Sequence, residues 1–352
     1  MKIPYVMLAG LALSVATVAG AQTGTGGAAQ QGAPATKAAP APPLQLNSLD
    51  PSSRPDPFPP VNPKFFTAST PTVDTVNAFL KTLWGYDPNR IWRVEAIQTT
   101  AAPGVSKVVV FVSDKSPNAK VQTTAFFVTP DGKHAIADSS GVISFGATPF
   151  ADNRKLLQER ADGASRGAAG KDLLLVEFAD LQCPHCKEAQ TTMDQLAKDF
   201  PNAHIVYQSF PLVEIHPFAF KAAAYGYCIQ KQKNDAFFPY AAAVFETQAA
   251  LTPETGDETL KSAVTKAGLD PAAIDTCSAT QAVKDQVSAS IKLAQDAGVD
   301  QTPMLAVNGH LLPLTQVPYE TLKTIVAYQA TLDGVSTGAP AGSAAKPPTL
   351  GK

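Results

Sequence analysis

The sequence predicts two folded parts of different class. A small α+β domain is expected over residues 61–150, followed by an α/β domain over 171–332 that carries an inserted block of helices. Three observations lead there. A nearly continuous apolar run, Leu173, Leu174, Leu175, Val176 and Phe178, leads into Cys183-Pro184-His185-Cys186 and a stretch with helical periodicity. Several helix-period segments then separate that unit from a short apolar strand ending at Asn308-Gly309. Upstream, one helical pattern precedes a succession of strand patterns. A strand feeding a helix, with strands returning late, reads as α/β, and a helix before a run of strands reads as α+β.

Along the chain, residues 1–21 resemble a secretory signal. Lys2 precedes an apolar stretch over 6–18, and Ala19-Gly20-Ala21 offers a small-x-small cleavage site before Gln22. The apolar stretch is short for a membrane span, and an uncleaved anchor is the alternative. No cysteine near the cleavage site suggests a lipoprotein. Residues 22–60, rich in Gly, Ala, Pro, Gln and Ser, lack the large apolar groups a core needs and are expected to be disordered, with the proline-rich part extended. Net charge is −2 and there is no basic run, which argues against nucleic-acid binding. Four cysteines suit an oxidising compartment.

In the first domain, residues 72–84 place Val73, Val76, Phe79, Leu80 and Leu83 on one helical face, ended by Gly85 and Pro88. Strand patterns follow over 91–99, with Trp92, Val94 and Ala96 on one side, then over 107–113 and 122–129. One broken strand or two short ones follow over 134–145. Asp131-Gly132 signals a two-residue hairpin. No catalytic constellation is present here. Residues 151–161 read as a linker helix with Leu156 and Leu157 as its apolar contacts, and 163–170 as a flexible joint.

At 173–186 the pattern becomes chemical. The apolar run is that of a strand covered on both faces. Cys183 then falls at the first turn of a helix, with Pro184 just inside it, where a missing N–H costs nothing. Ala189, Met193, Leu196 and Ala197 share the helix's buried side. Unpaired N–H groups and the positive end of the dipole favour an anion at such a terminus. The Cys183 thiolate should therefore be stabilised; cysteines in this setting reach pKa values of roughly 3.5 to 7. His185 can add a donor or a positive charge beside the sulfur. Cys186, one turn in, should be buried and act as the resolving thiol. Glu177 either faces outward from the strand or is a buried proton acceptor beneath the cysteine pair. A c-type haem site needs His directly after the second Cys, where Lys187 stands. A structural zinc site needs four ligands, which Cys183, His185 and Cys186 cannot supply from so tight a turn. No metal or cofactor is expected.

The run Val176-Glu177-Phe178-Ala179-Asp180-Leu181-Gln182 before Cys183-Pro184-His185-Cys186 resembles the thioredoxin fold, and within it the DsbA-like thiol–disulfide oxidoreductases. Phe210-Pro211-Leu212 followed by His216-Pro217, and the Ala-rich segment around Cys228, resemble that family's second strand and its helical insertion, here about 217–298. Residues 302–309, beginning Thr302-Pro303 and ending Asn308-Gly309, resemble its cis-proline loop and next strand. The resemblance implies that Pro303 is cis and faces the cysteine pair. It also implies that Thr302 offers backbone groups to an extended substrate and a hydroxyl to the sulfur. Cys183 would form mixed disulfides that Cys186 or a second substrate thiol resolves. Some relatives carry a second disulfide in the insertion; Cys228 and Cys277 either pair or stand as two free thiols. His216 either caps a helix or lines the substrate groove. The implied partners are unfolded or partly oxidised exported proteins and a membrane or soluble redox partner, in the periplasm.

The direction of exchange is divided. Pro-His between the cysteines resembles the DsbA oxidants, whereas Thr302 before the proline resembles the DsbC and DsbG isomerases. The order of parts over 61–150 is similar to the cystatin-like dimerisation domains of those isomerases and implies a homodimer through that region. A holdase-like binding protein with secondary redox activity is a reading of another class.

Elsewhere, Ile205, Tyr207 and Phe210 alternate in a strand over 202–209. Helices are expected over 217–229, 236–247, 254–267 (with Thr252-Pro253-Glu254 as its start), 271–277 and 282–297. Strands over 304–307 and 310–314 and a helix over 318–331 close the domain, and 333–352 is an expected disordered tail.

Overall fold

The structure, a computed structural model, describes residues 57–116, 119–137 and 141–336. The signal-like segment, nearly all of 22–60 and most of 333–352 lie outside those residues.

Helix α1 (Val73–Trp84) opens the first part, with Thr72 Oγ1 accepting the Thr75 N–H at 3.1 Å as its N-cap. Strands β1 (Arg90–Thr99), β2 (Ser106–Asp114), β3 (Gln122–Val128), β4 (His134–Ala137) and β5 (Gly141–Ser144) follow as an antiparallel meander in sequence order. The helix buries Val76, Phe79 and Leu80 against one face of the sheet, and the Phe79 ring lies 5.8 Å from that of Phe126 and 4.8 Å from that of Phe145. Two expectations are corrected. A bulge between Val94 and Ala96 inserts one residue, so Ile97 rather than Ala96 joins Val94 on the core side, while Ala96 pairs with Val109; one extra residue reverses the alternation. The turn after β3 is also longer than two residues: the Thr129 N–H bonds the His134 carbonyl at 3.0 Å, with Asp131 and Gly132 inside the loop.

The second part runs α2 (Ala151–Arg160), β6 (Ala164–Gly167), β7 (Leu174–Ala179), α3 (Pro184–Asp199) and β8 (His204–Ser209). The helices α4 (Ala219–Gln232), α5 (Phe237–Glu246), α6 (Gly256–Lys266), α7 (Pro271–Ser278) and α8 (Gln281–Asp296) come next. Strands β9 (Met304–Val307) and β10 (His310–Pro313) and helix α9 (Tyr319–Leu332) complete it. Its sheet has the order β10-β9-β7-β8-β6, with β7 and β8 parallel and the other pairs antiparallel. On one face α3 and α9 cover Leu175, Ile205, Leu305 and Val307. On the other, Leu157 of α2 and Leu293 of α8 cover Leu174, Val176 and Phe178. The helices α4–α8 enclose a core of their own, in which a disulfide joins Cys228 of α4 to Cys277 of α7.

Residues 151–170 are not a linker and joint. Leu157 is fully buried against the sheet, and 164–167 form its edge strand. The Ser165 N–H bonds Asn234 Oδ1 at 2.9 Å, and the Asn234 amide returns a bond to the Ser165 carbonyl at 2.6 Å. Ala-Ser-Arg-Gly has little strand preference of its own, so pairing with β8 makes this strand. Helix α6 starts at Gly256, because 252–255 form a turn closed by the Gly256 N–H on the Thr252 carbonyl at 2.8 Å.

The two parts touch directly. Tyr328 Oη donates to the Lys81 carbonyl at 2.6 Å, and the His310 ring stacks on Phe150 at 4.1 Å. Among the described residues no helix is long and apolar enough to cross a membrane.

Candidate active site

Strand β7 ends at Ala179, and a tight turn carries the chain to Cys183, whose N–H bonds the Asp180 carbonyl at 3.1 Å. Cys183 is the N-cap of α3 and Pro184 its first residue; the Cys186 and Lys187 N–H groups bond the Cys183 carbonyl at 3.1 and 3.3 Å. Both cysteines are free thiols, 5 % and 0 % exposed. The Cys183 thiol is lowered to about 5, chiefly by a hydrogen bond from the Cys186 thiol. Burial opposes this, and the Thr302 hydroxyl and the Cys186 and His185 backbone N–H groups assist it. Burial and the neighbouring Cys183 push the Cys186 thiol far up. Above the Cys183 value and below that of Cys186, the dithiol holds one proton, on the inner sulfur.

The His185 side chain is exposed and its Nδ1 meets Glu188 Oε2 at 3.1 Å, one turn along the helix, which raises the pKa of the ring. The ring also feels the charge of Cys183, which adds to the effect of Glu188. His185 also supplies its backbone N–H to the Cys183 sulfur. Thr302 lies on the other side of Cys183, with its carbonyl 3.9 Å from the sulfur, and the Thr302–Pro303 peptide is cis. The Thr302 hydroxyl is buried without an ordinary hydrogen-bond partner, yet near enough to favour both thiolates. Pro303 is buried and leads into β9.

Of the two readings of Glu177, the structure shows the buried one. It stands between Tyr207 on β8 and Leu305 on β9, 3 % exposed, and its Oε1 accepts from Gln190 Nε2 at 2.8 Å. Burial raises it to about 7, against the Gln190 bond and the charge of Arg166. Gln190 also donates to the Cys186 carbonyl at 3.0 Å, tying the carboxyl to the turn that bears the inner cysteine. The Tyr207 hydroxyl is buried close to both and is raised well above the phenol range, first by burial and then by the charges of Cys186 and Glu177.

Several residues that organise the site were not singled out in the sequence. Asp180 is fully buried and its N–H points at Cys186 Sγ, 3.4 Å away. Its carboxylate accepts from the Gln182 and Leu212 N–H groups at 2.7 and 2.8 Å and meets His216 Nδ1 at 2.7 Å. His216 therefore anchors its loop to the catalytic turn. Gln248, from the insertion, donates to the carbonyls of Leu181 and Cys183 at 2.9 and 3.0 Å. Gln182 accepts the Phe218 N–H at 2.8 Å and donates to the Leu251 carbonyl at 3.1 Å. Proximity to Cys183 is a sequence cue for Asp180 and Gln182; Gln248 offers none.

A family model described as thioredoxin matches residues 162–328. This segment, a little under half of the chain, matches that model and has a thioredoxin-like fold. The match begins just before β6, in keeping with the place of that strand in the sheet. Similar solved structures include a periplasmic thioredoxin-like protein from Salmonella enterica serovar Typhimurium, 21% identical, covering 51% of this chain and 96% of that one with a TM-score of 0.43. BdbD from Bacillus subtilis is 18% identical, covering 48% and 93% with a TM-score of 0.43. Among curated relatives, the Na(+)/H(+) antiporter NhaA 1 of Salinispora arenicola is 36% identical over 58 residues, which are 16% of this chain and 9% of the antiporter. The chain thus matches only about a tenth of that relative's length. In this thioredoxin-like domain, α4–α8 are the inserted helices, and the Cys183–Cys186 pair sits where they meet the sheet.

Proposed function

We propose that this chain is a thiol–disulfide oxidoreductase that introduces disulfides into exported proteins. The observation that carries the reading is the opposite displacement of two adjacent thiols, Cys183 lowered to about 5 at a helix N-terminus and Cys186 buried and raised. A stabilised Cys183 thiolate favours the dithiol form, and a couple whose reduced form is favoured accepts electrons readily. Export is supported by the signal-like residues 1–21 and by the Cys228–Cys277 disulfide.

The chemistry starts from the Cys183–Cys186 disulfide. A substrate thiolate attacks Cys183, the internal S–S bond breaks, and its electron pair stays on Cys186, which takes up a proton. A second substrate thiolate then attacks the substrate sulfur of the mixed disulfide and expels Cys183 as a thiolate. Two substrate thiols become one disulfide, and the protein holds two electrons that a redox partner must remove. The backbone of Thr302 beside Cys183 can pair with an extended substrate segment as an added strand would.

Equilibration with glutathione tests the reading. A potential less negative than about −180 mV supports an oxidant. A value near the thioredoxin figure of about −270 mV would reverse the direction. Failure of the parent protein to exchange disulfides in a Cys183-dependent way would overturn the activity itself.

A further inference from the structure

Ala164, Tyr207 and Glu177 form one row across β6, β8 and β7, and Arg166, Ile205 and Leu175 form the next row. Residues two apart along a strand share a face, so Arg166 and Glu177 rise from the same side of the sheet. Helix α3 lies over that side and presents Cys186, Gln190 and Asp194 at four-residue steps. Gln190 holds Glu177, and Asp194 Oδ1 accepts from Arg166 Nη1 at 2.7 Å. The guanidinium also lies over the Phe238 ring, 5.2 Å from its centroid. A polar seam therefore runs from the inner sulfur, past Glu177, to an ion pair at the open edge of β6. The described residues contain three buried side-chain polar atoms without a hydrogen-bond partner: Arg166 Nε, Tyr207 Oη and Thr302 Oγ1. They stand at the two ends and the middle of this seam, although such groups are ordinarily paired.

We propose that Arg166, held by Asp194, is a positioning residue that sets how readily Glu177 ionises and so how readily Cys186 is deprotonated. The inference rests on the dithiol reading above. When Cys186 resolves a mixed disulfide, its proton passes to the Glu177 carboxylate and its sulfur bonds to Cys183. The Cys183–substrate S–S bond breaks, and that electron pair leaves with the substrate sulfur. Glu177 accepts the proton only when ionised. The groups facing it are Gln190 and Asp194 from α3, Tyr207 from β8 and Arg166 from β6, with Leu305 of β9 apolar; Cys186 stands one turn before Gln190 on α3, and Asp180, at the end of β7, turns its carboxylate to Leu212 and His216. Arg166 is the cation of the set. Its charge favours the carboxylate, and the charge of Asp194 opposes it.

The test is a carbon-13 NMR titration of the Glu177 carboxyl in the reduced protein, with the pH profile of mixed-disulfide resolution beside it. In Arg166→Met the midpoint should move up by roughly half to one pH unit, in Asp194→Asn it should move down, and Arg166→Lys should restore most of the parental value. The resolution profile should follow in the same order. A merely structural role would not give opposite signs. Coincident titrations of the parent and Arg166→Met, or shifts of both charge variants in one direction, overturn the proposal. If Arg166→Met does not fold, an unshifted Asp194→Asn titration overturns it. A parent protein that resolves no mixed disulfide refutes the oxidoreductase reading instead, and the titration still decides this one.

Discussion

Replacing Cys183 with Ser removes the thiolate at the start of α3. In the folded dithiol protein that thiol sits at about 5, against about 8.5 for an unfolded chain. The folded value is depressed, so between these limits the unfolded state binds more protons and stability from this group rises with pH. The contribution is fully present above about 8.5 and is lost as pH falls through about 5. It amounts to a few kcal/mol at pH 7 and to well under about 1 kcal/mol at pH 5. Glu177 runs the other way. Its folded value of about 7 lies above the carboxylate range, so stability is lost as pH rises from about 4.3 toward 7. Glu177 is present in both proteins, and the difference between parent and Cys183→Ser cancels it. Urea unfolding of both proteins under reductant, at pH 5 and pH 7, measures the effect. The parent's advantage should grow by about 2 kcal/mol between the two pH values. A difference that stays constant would show that the helix terminus and its neighbours do not hold an anion on Cys183.

Three further outcomes are expected. Gln248→Ala removes two hydrogen bonds from the catalytic turn and should cost about 1–3 kcal/mol in urea unfolding; a parental midpoint would show that the insertion does not brace the turn. Replacing Cys228 and Cys277 with Ala opens a disulfide spanning 49 residues; it should lower stability by about 4 kcal/mol and leave Cys183-dependent exchange at the parental rate, and unchanged unfolding would refute that. Leu157→Ala should cost about 2–5 kcal/mol because the side chain is fully buried under the sheet, whereas a linker residue would tolerate it, so calorimetry of this one variant separates the two readings of 151–161.

What sequence alone could determine lay in short, local patterns. The apolar run of β7, the Cys-Pro-His-Cys start of α3 and the Asn308-Gly309 turn each contain their own cause, in periodicity, a proline at the first helical position and a turn dipeptide. The helices of the insertion were legible for the same reason, with ends displaced by one to three residues, as at the turn over 252–255 and at the end of α4. The tertiary structure decided everything that depends on partners distant in the chain. Strand β6 exists because β8 and Asn234 bind it, not because Ala-Ser-Arg-Gly prefers to extend. The bulge in β1 is a matter of register with β2. Glu177 was open to two readings until α3 covered it, because an apolar run does not say what lies above each face. Gln248 reaches Cys183 across 65 residues, and Arg166 joins Glu177 only through a sheet row and a helix face. Local chemistry is written in neighbouring residues. Burial and the electrostatics of a buried site are sums over neighbours in space, and those the folded chain alone brings together.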